Sequence, residues 1–377
     1  MFGRSVSLFS VSGIEIKIDW SWVIIAVLIA WSLAQGYFPS ISEGLPQATY
    51  WGMGIVALVG LFASIVLHEL GHSLVAQRYG LPIRGITLFV FGGVAEMTEE
   101  PARPKVEIVM AIAGPIVSLV LAAAFSAAAA VADSLGVAAP AVVVLGYLGS
   151  LNLLLALFNL VPAFPLDGGR VLRGVLWWST GDFRRATRWA SIGGMVFSGV
   201  LIAVGLASIF SGDFAGGIWW VLIGLFLNGA AQSSRQDVEL RAALKGLTVR
   251  RLMTGGPITV PPDLGVDALV AHFMYRHHHR LFPVVDGGRL VGAVSTLDVG
   301  RLPRERWSAE TVAAIMQPTT PQNTVAADAD VVAALATMQT QKVGRLMVVD
   351  GGRLVGVLAL SDVMRLLAIQ LDLARAT

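Results

Sequence analysis

Six apolar runs dominate the first 232 residues, at about 18–37, 52–79, 106–132, 140–163, 187–210 and, shorter than the rest, 215–232. About 20 helical residues cover a hydrocarbon core of roughly 30 Å. A chain built this way must satisfy its backbone polar groups within lipid, which leaves helices as its open-ended choice. Composition agrees, because charged residues are only 14% of the 377-residue chain, against roughly 25% in soluble domains. Mean hydropathy is +0.72. Residues 1–232 hold 23 charges and 233–377 hold 29, so the membrane character belongs to the first part. Nine of the ten Trp also lie there, as expected where indoles settle at the membrane interface.

Segments 37–50, 133–139 and 211–214 contain no Lys or Arg, whereas all eleven basic residues of the first part lie in the alternate segments. The positive-inside rule then makes this a multi-pass cell-membrane protein with both termini, and the soluble C-terminal part, in the cytosol. A net charge of +2 gives no footprint for a nucleic-acid partner. The absence of cysteine excludes disulfides, iron–sulfur clusters and thiolate zinc sites, so a metal must be held by His and carboxylates. The first 19 residues lack an apolar core followed by a cleavage site and read as a surface β-hairpin. Residues 81–97 are too short to span and too apolar for a free loop. Thr87, Phe89 and Phe91 alternate with Leu88 and Val90, which predicts a re-entrant β-hairpin turning at Gly92-Gly93. Such backbone at membrane depth needs protein or a wet cavity beside it.

The second run reads SIVLHELGHSLVAQRYG. His68 and His72, four apart on a helix, share one face and can hold one metal ion, with Glu69 beside them as a candidate base. Three ionisable side chains in five positions of a membrane helix are expensive, an acidic residue alone costing roughly 2.5–3.5 kcal/mol at the helix centre on insertion scales, which a purely structural role does not repay. With Arg78 marking the cytosolic end, His72 and His68 lie roughly 9 and 15 Å inward. Catalytic zinc takes three protein ligands and water. The other four His lie in the C-terminal part, which leaves a carboxylate as third ligand. Asp167 in FNLVPAFPLDGGR is the candidate, since Pro162 and Pro165 break the helix and Gly168-Gly169 let the backbone turn closely. Glu96, Glu99, Glu100 and Glu107 read as a solvated cytosolic loop in preference to a gate or a substrate-helix contact, and His277, His278 and His279 as an exposed face or a nucleotide contact rather than a metal site.

After a polar linker at 233–246 an internal repeat follows: FPVVDGGRLVGAVSTLDVGRL from Phe282 and LMVVDGGRLVGVLALSDVMRL from Leu346. Each unit reads strand, Gly-Gly turn, strand, helix, with another helix ahead of it. About 60 residues make a small core, so the two halves are expected to pair.

HELGH on one span, with Asn159, Pro162, Pro165 and Leu166-Asp167-Gly168 on a later one, resembles the site-2 protease family of intramembrane metalloproteases (peptidase family M50). The resemblance extends to Phe91-Gly92-Gly93 and Ala113-Gly114-Pro115, and Ser118 departs from the Asn usual three residues after that proline. The repeat resembles a tandem pair of CBS domains. The implied fold is a polytopic α-helical membrane protein of about six spans with a re-entrant β-hairpin (1–232), then a C-terminal α/β tandem CBS pair (247–302 and 310–377). The resemblance implies His68, His72 and Asp167 as zinc ligands and Glu69 as general base. Asn159 is either an oxyanion donor or an interhelical hydrogen-bonding residue. The implied substrate is a transmembrane protein, such as a membrane-anchored regulator, in regulated intramembrane proteolysis. In CBS pairs an adenine nucleotide is held by a pattern that Gly292, Ser295 and Asp298 match. Gly356 and Asp362 match it with Ala359 in place of the hydroxyl, and many such pairs serve instead for homodimerisation or docking. Two readings from other classes stay open, a CBS-regulated transporter and a catalytically silent membrane-protein binder.

Overall fold

A computed structural model describes residues 5–90, 92–97 and 100–375. The chain forms two compact units that divide between Val238 and Glu239.

The first unit opens with β1 (Ser5–Val11) and β2 (Ile14–Asp19). They are joined at Ser12 and Gly13, both at positive φ, the backbone of a tight two-residue hairpin. Asp19 caps α1 (Trp20–Ser32) by accepting from Ser21 N at 2.9 Å. A π-helical turn, Leu33–Tyr37, and the short α2 (Phe38–Ile41) complete the first span. The others are α3 (Gln47–Arg78), α4 (Pro104–Ser134), α5 (Ala139–Asn159), α7 (Phe183–Phe210) and α8 (Phe214–Leu244). Among the described residues six helices are thus long and apolar enough to span. Glycines let them approach closely: a Cβ on Gly149 would lie 2.5 Å from Ser126 Oγ, and one on Gly71 2.9 Å from Val117. Small residues serve this purpose where lipid offers no hydrophobic drive to helix association.

Between α3 and α4 lie β3 (Ile83–Phe89) and β4 (Gly92–Met97). The expected hairpin is present, but it turns ahead of Gly92-Gly93: Phe89 pairs with Gly92, and both glycines belong to β4. Phe91 lies outside the described residues. Nor are the two hairpins separate, because β2 pairs in parallel with β3 and the sheet order is β1-β2-β3-β4. Ile14, Ile16, Ile86 and Leu88 are fully buried against Val66 and Leu70 of α3. The sheet therefore rests on the part of α3 that carries His68 and His72.

The acidic stretch is likewise not one open loop. Glu96 lies on β4, accepting from Thr87 Oγ1 at 2.9 Å and Lys17 Nζ at 3.3 Å. Glu107 is fully buried in α4, and only Glu100 is an exposed loop residue; Glu99 lies outside the described residues. After α5 the chain turns through Leu160–Leu166, with Phe164-Pro165 cis, into α6 (Asp167–Thr180). This 14-residue helix is absent from the sequence reading. The polar stretch expected as a linker is largely helical as well, since α8 runs on to Leu244.

The second unit contains α9 (Val249–Leu252), β5 (Thr254–Gly255), α10 (Val266–Ala268), a π-helical segment Leu269–Met274, α11 (Tyr275–His277), β6 (Leu281–Asp286), β7 (Arg289–Ser295) and α12 (Thr296–Gly300). It continues with α13 (Val312–Ile315), β8 (Gln317–Pro318), β9 (Thr324–Ala326), α14 (Val331–Gln341), β10 (Arg345–Asp350), β11 (Arg353–Ala359) and α15 (Leu360–Arg375). Gly287-Gly288 and Gly351-Gly352, all at positive φ, make the two-residue turns that explain the repeated DGGR. The halves exchange their leading strands. β5 pairs with β11 of the second repeat and β8 with β7 of the first, while Val249 and Val312 enter the opposite repeat's core.

Candidate metal centre

One turn apart on α3, His68 and His72 are 3% and 6% exposed. Their Nε2 atoms lie 3.2 Å apart and 3.1 and 3.2 Å from Asp167 Oδ2. Among the described residues no other group of His, Cys, Asp or Glu could hold a metal, so His277, His278 and His279 do not form a second one. Each imidazole is oriented from behind. His72 Nδ1 is 2.7 Å from the Met110 carbonyl, which can only accept, so in the neutral ring the proton sits on Nδ1 and Nε2 presents a lone pair. His68 Nδ1 meets Ser118 Oγ at 2.8 Å. An outer partner that fixes the ring is the usual companion of a metal-ligating histidine.

The chemistry of this donor set fits a cation, since a lone pair of His72 faces a carboxylate oxygen with nothing to separate the two repulsive acceptors. The spacing fits zinc: donors on a tetrahedral ion with bonds of about 2.0–2.1 Å stand about 3.3 Å apart. The third test is room. A Cβ on Gly114 of α4 would lie 2.2 Å from His72 Nε2 and 2.7 Å from His68 Nε2, so only glycine leaves that approach clear.

Asp167 reaches the imidazoles as the first residue of α6. A Cβ on Gly168 would lie 2.2 Å from Leu160 O, and one on Gly169 2.2 Å from Phe164 N. The double glycine is therefore what lets α6 start directly against the preceding turn. A buried pair ties α6 to α4: Arg173 Nε donates to Glu107 Oε1 at 2.6 Å, with the guanidinium over the rings of Phe164 and Phe183. Glu107 stands one turn from Met110, so this pair and the histidine's carbonyl partner belong to one stretch of α4.

Glu69 is half-buried and faces a cavity of about 680 Å³ that His68, His72, Asp167, Asn159, Arg170 and β4 also line. A Cβ on Gly93 would lie 2.7 Å from Glu69 Cγ, so β4 passes directly over the carboxylate's stem. Asn159, at the end of α5, lines the cavity too, but its Nδ2 donates to Leu155 O of its own helix at 3.0 Å. That bond is neither of the two roles expected for it. Ser118, the departure from the family pattern, is fully buried behind His68. Sequence reasoning missed its role, as it missed Met110, Arg170 and the Glu107–Arg173 pair, and it named Gly114 only as part of the family pattern. The readable signal was small or charged residues at positions where a lipid-facing helix needs none.

In the second unit Ser295 and Asp298 form a capping box on α12: Ser295 Oγ lies 2.6 Å and Ser295 N 2.9 Å from Asp298 Oδ2. Asp298 Oδ1 accepts from Gln317 Nε2 at 2.9 Å and lines a cavity of about 190 Å³ with Arg301, Leu302, Ile315 and Gln317. A Cβ on Gly292 would lie 2.6 Å from Gln317 O, so β8 accounts for that glycine. Asp362 Oδ2 accepts from Ala359 N at 3.2 Å.

The sequence profile of peptidase family M50 matches residues 56–136 and 132–204, and that of the CBS domain matches 249–302 and 312–369. Rip3 of Mycobacterium tuberculosis is 35% identical over 96% of this chain and 93% of its own length. The protein sll0528 of Synechocystis is 33% identical over 97% and 96%, and the zinc metalloprotease MJ0392 of Methanocaldococcus jannaschii 31% over the same shares. Among solved structures the site-2 protease from Methanocaldococcus jannaschii is 30% identical and covers 62% of this chain and 95% of its own, with a TM-score of 0.43. Similarity over nearly the whole length to zinc metalloproteases, together with the M50 and CBS profiles, places the chain in peptidase family M50, as a multi-span zinc metalloprotease with a C-terminal CBS pair.

Proposed function

We propose that this protease cleaves a peptide bond in or beside a transmembrane segment of a membrane-anchored protein, in regulated intramembrane proteolysis. The carrying observation is the His68–His72–Asp167 cluster, set in the middle of a span and opening on a largely apolar cavity. Held by these three residues, zinc supplies Lewis acidity toward water and a peptide carbonyl. Glu69 takes a proton from the attacking water and returns it to the leaving nitrogen. The outer edge of β4 has no partner strand among the described residues. It can receive an extended substrate by β-addition, which satisfies the backbone of an unwound helix. The test is a comparison of membrane proteins that accumulate uncleaved in a strain carrying Glu69→Gln with those in wild type; identical profiles would remove the reading.

The charge pattern supports cytosolic termini and a cytosolic CBS pair. Gly136 and Gly212 have positive φ, so cysteines belong at the exposed neighbours Ser134 and Ser211, and at Glu43. These three should react with an impermeant thiol reagent added outside intact cells, and cysteines at Ser179 and Ser308 should not. The reverse pattern would invert the topology.

For the CBS pair the reading is an adenine nucleotide held at Gly292, Ser295 and Asp298, with Asp362 as the weaker counterpart because Ala359 offers no hydroxyl. Calorimetric titration of the full chain with ATP, ADP and AMP should show Asp298→Ala weakening binding more than Asp362→Ala. No heat with any of the three would leave the pair as a homodimerisation or docking module.

A further inference from the structure

We propose that Arg170 contacts the substrate, donating from its guanidinium to the carbonyl oxygen of the peptide bond under attack. The proposal rests on the proteolytic reading above. Asp167, Arg170 and Arg173 recur at i, i+3 and i+6 along α6, so they form one stripe on that helix. All three line the cavity that Glu69 and the two histidines share. Two of them are already committed. Asp167 turns to the imidazoles. Arg173, 4% exposed, is bound by Glu107 and lies with its guanidinium 5.1 and 4.9 Å from the Phe164 and Phe183 ring centres. The guanidinium of Arg170 has no hydrogen-bond or ion-pair partner among the described residues.

Charge counting gives that freedom a meaning. A divalent ion at the three ligands is balanced by the carboxylates of Asp167 and Glu69, and Arg173 is balanced by Glu107. Glu100, the other carboxylate on the wall among the described residues, is exposed. Among the described residues Arg170 is left as the surplus cation of the inner cavity, and its electrostatic neighbours are Arg173, Glu107, Asp167 and Glu69. An uncompensated cation at membrane depth is costly; the cost is returned if the missing negative charge arrives with the reaction. Amide hydrolysis supplies it: water adds to the carbonyl carbon, negative charge gathers on the carbonyl oxygen, and the C–N bond breaks as Glu69 passes the proton to nitrogen. Arg170 neither gives nor takes a proton in this sequence. Preorganised donors aimed at such an oxygen act most strongly in a site that excludes water. Asn159, the other candidate donor, has already given one N–H to Leu155 O.

The test uses the full zinc-loaded chain and a single-span reporter polypeptide that the wild type cleaves. Arg170→Ala should keep its zinc and lower kcat by roughly 10²- to 10³-fold, with KM changed far less. Added guanidinium should restore part of the activity of Arg170→Ala and none of that of Glu69→Gln. If the alanine variant loses zinc or does not fold, Arg170→Lys takes its place, with a reduced kcat at full zinc content expected. An unchanged kcat, a rise in KM alone, indifference of a zinc-loaded Arg170→Ala to guanidinium, or loss of zinc from both variants would overturn the proposal. Glu69→Gln measured in parallel separates the failures: if it is silent while Arg170→Ala is fully active, only this inference falls; if it cleaves as well, the assignment of Glu69 as base falls; and a wild-type chain that cleaves no single-span reporter removes the proteolytic reading itself.

Discussion

Replacing Glu69 with glutamine should leave a zinc-loaded protein that no longer cleaves. The substitution keeps the length and shape of the side chain, and shape matters here because β4 crosses it so closely that a Cβ on Gly93 would lie 2.7 Å from Glu69 Cγ. The three donor atoms, and the Met110 and Ser118 contacts behind the rings, involve no atom of Glu69. Only the proton acceptor is removed, since an amide cannot take a proton from water at neutral pH. Loss of a general base costs roughly 10²- to 10⁴-fold in rate, so cleavage of a transmembrane reporter should fall to a per cent or less while zinc per chain stays at the wild-type value. Both quantities belong on the same preparation. Cleavage above a few per cent at full zinc would refute the assignment of Glu69 as base.

The spans and the metal cluster were readable for the same reason: in lipid, each charged or helix-breaking residue stands out against an apolar background. His68, Glu69 and His72 interrupt one run, and Asp167 is marked by the prolines and glycines around it. What escaped was whatever depends on a partner distant in sequence. Alternation around Thr87–Phe91 indicates strands, yet nothing in it says that β3 joins β2 in parallel across two membrane spans. Helix α6 escaped because its arginines count as cytosolic basic residues, when Arg173 is in fact buried against Glu107. Ser118 read only as a departure from the family pattern, because its partner His68 lies 50 residues earlier. The exchanged strands β5 and β8 are two residues each, too short to carry any period.

Asp167→Ala should strip the protein of zinc and, with it, of activity. The carboxylate stands within 3.2 Å of both imidazoles and is the third of three donors, so its loss leaves a site of two neutral nitrogens. The surroundings offer no replacement, because among the described residues no other metal-holding group exists, and Glu107 is engaged by Arg173. Losing an outer-shell partner typically weakens metal binding 10- to 100-fold. Losing a charged ligand should exceed that, with affinity down by more than about 100-fold. Asp167→Asn is the informative companion: it preserves the start of α6 and one oxygen donor, so it should hold more zinc than the alanine variant yet cleave slowly. Gly168 and Gly169 still permit the close turn in both variants, and the helix should remain in place. Zinc retained against a graded series of chelator concentrations measures the loss, with the thermal unfolding midpoint showing whether the fold survives it. An alanine variant that binds zinc as tightly as wild type would place the third ligand elsewhere in the chain.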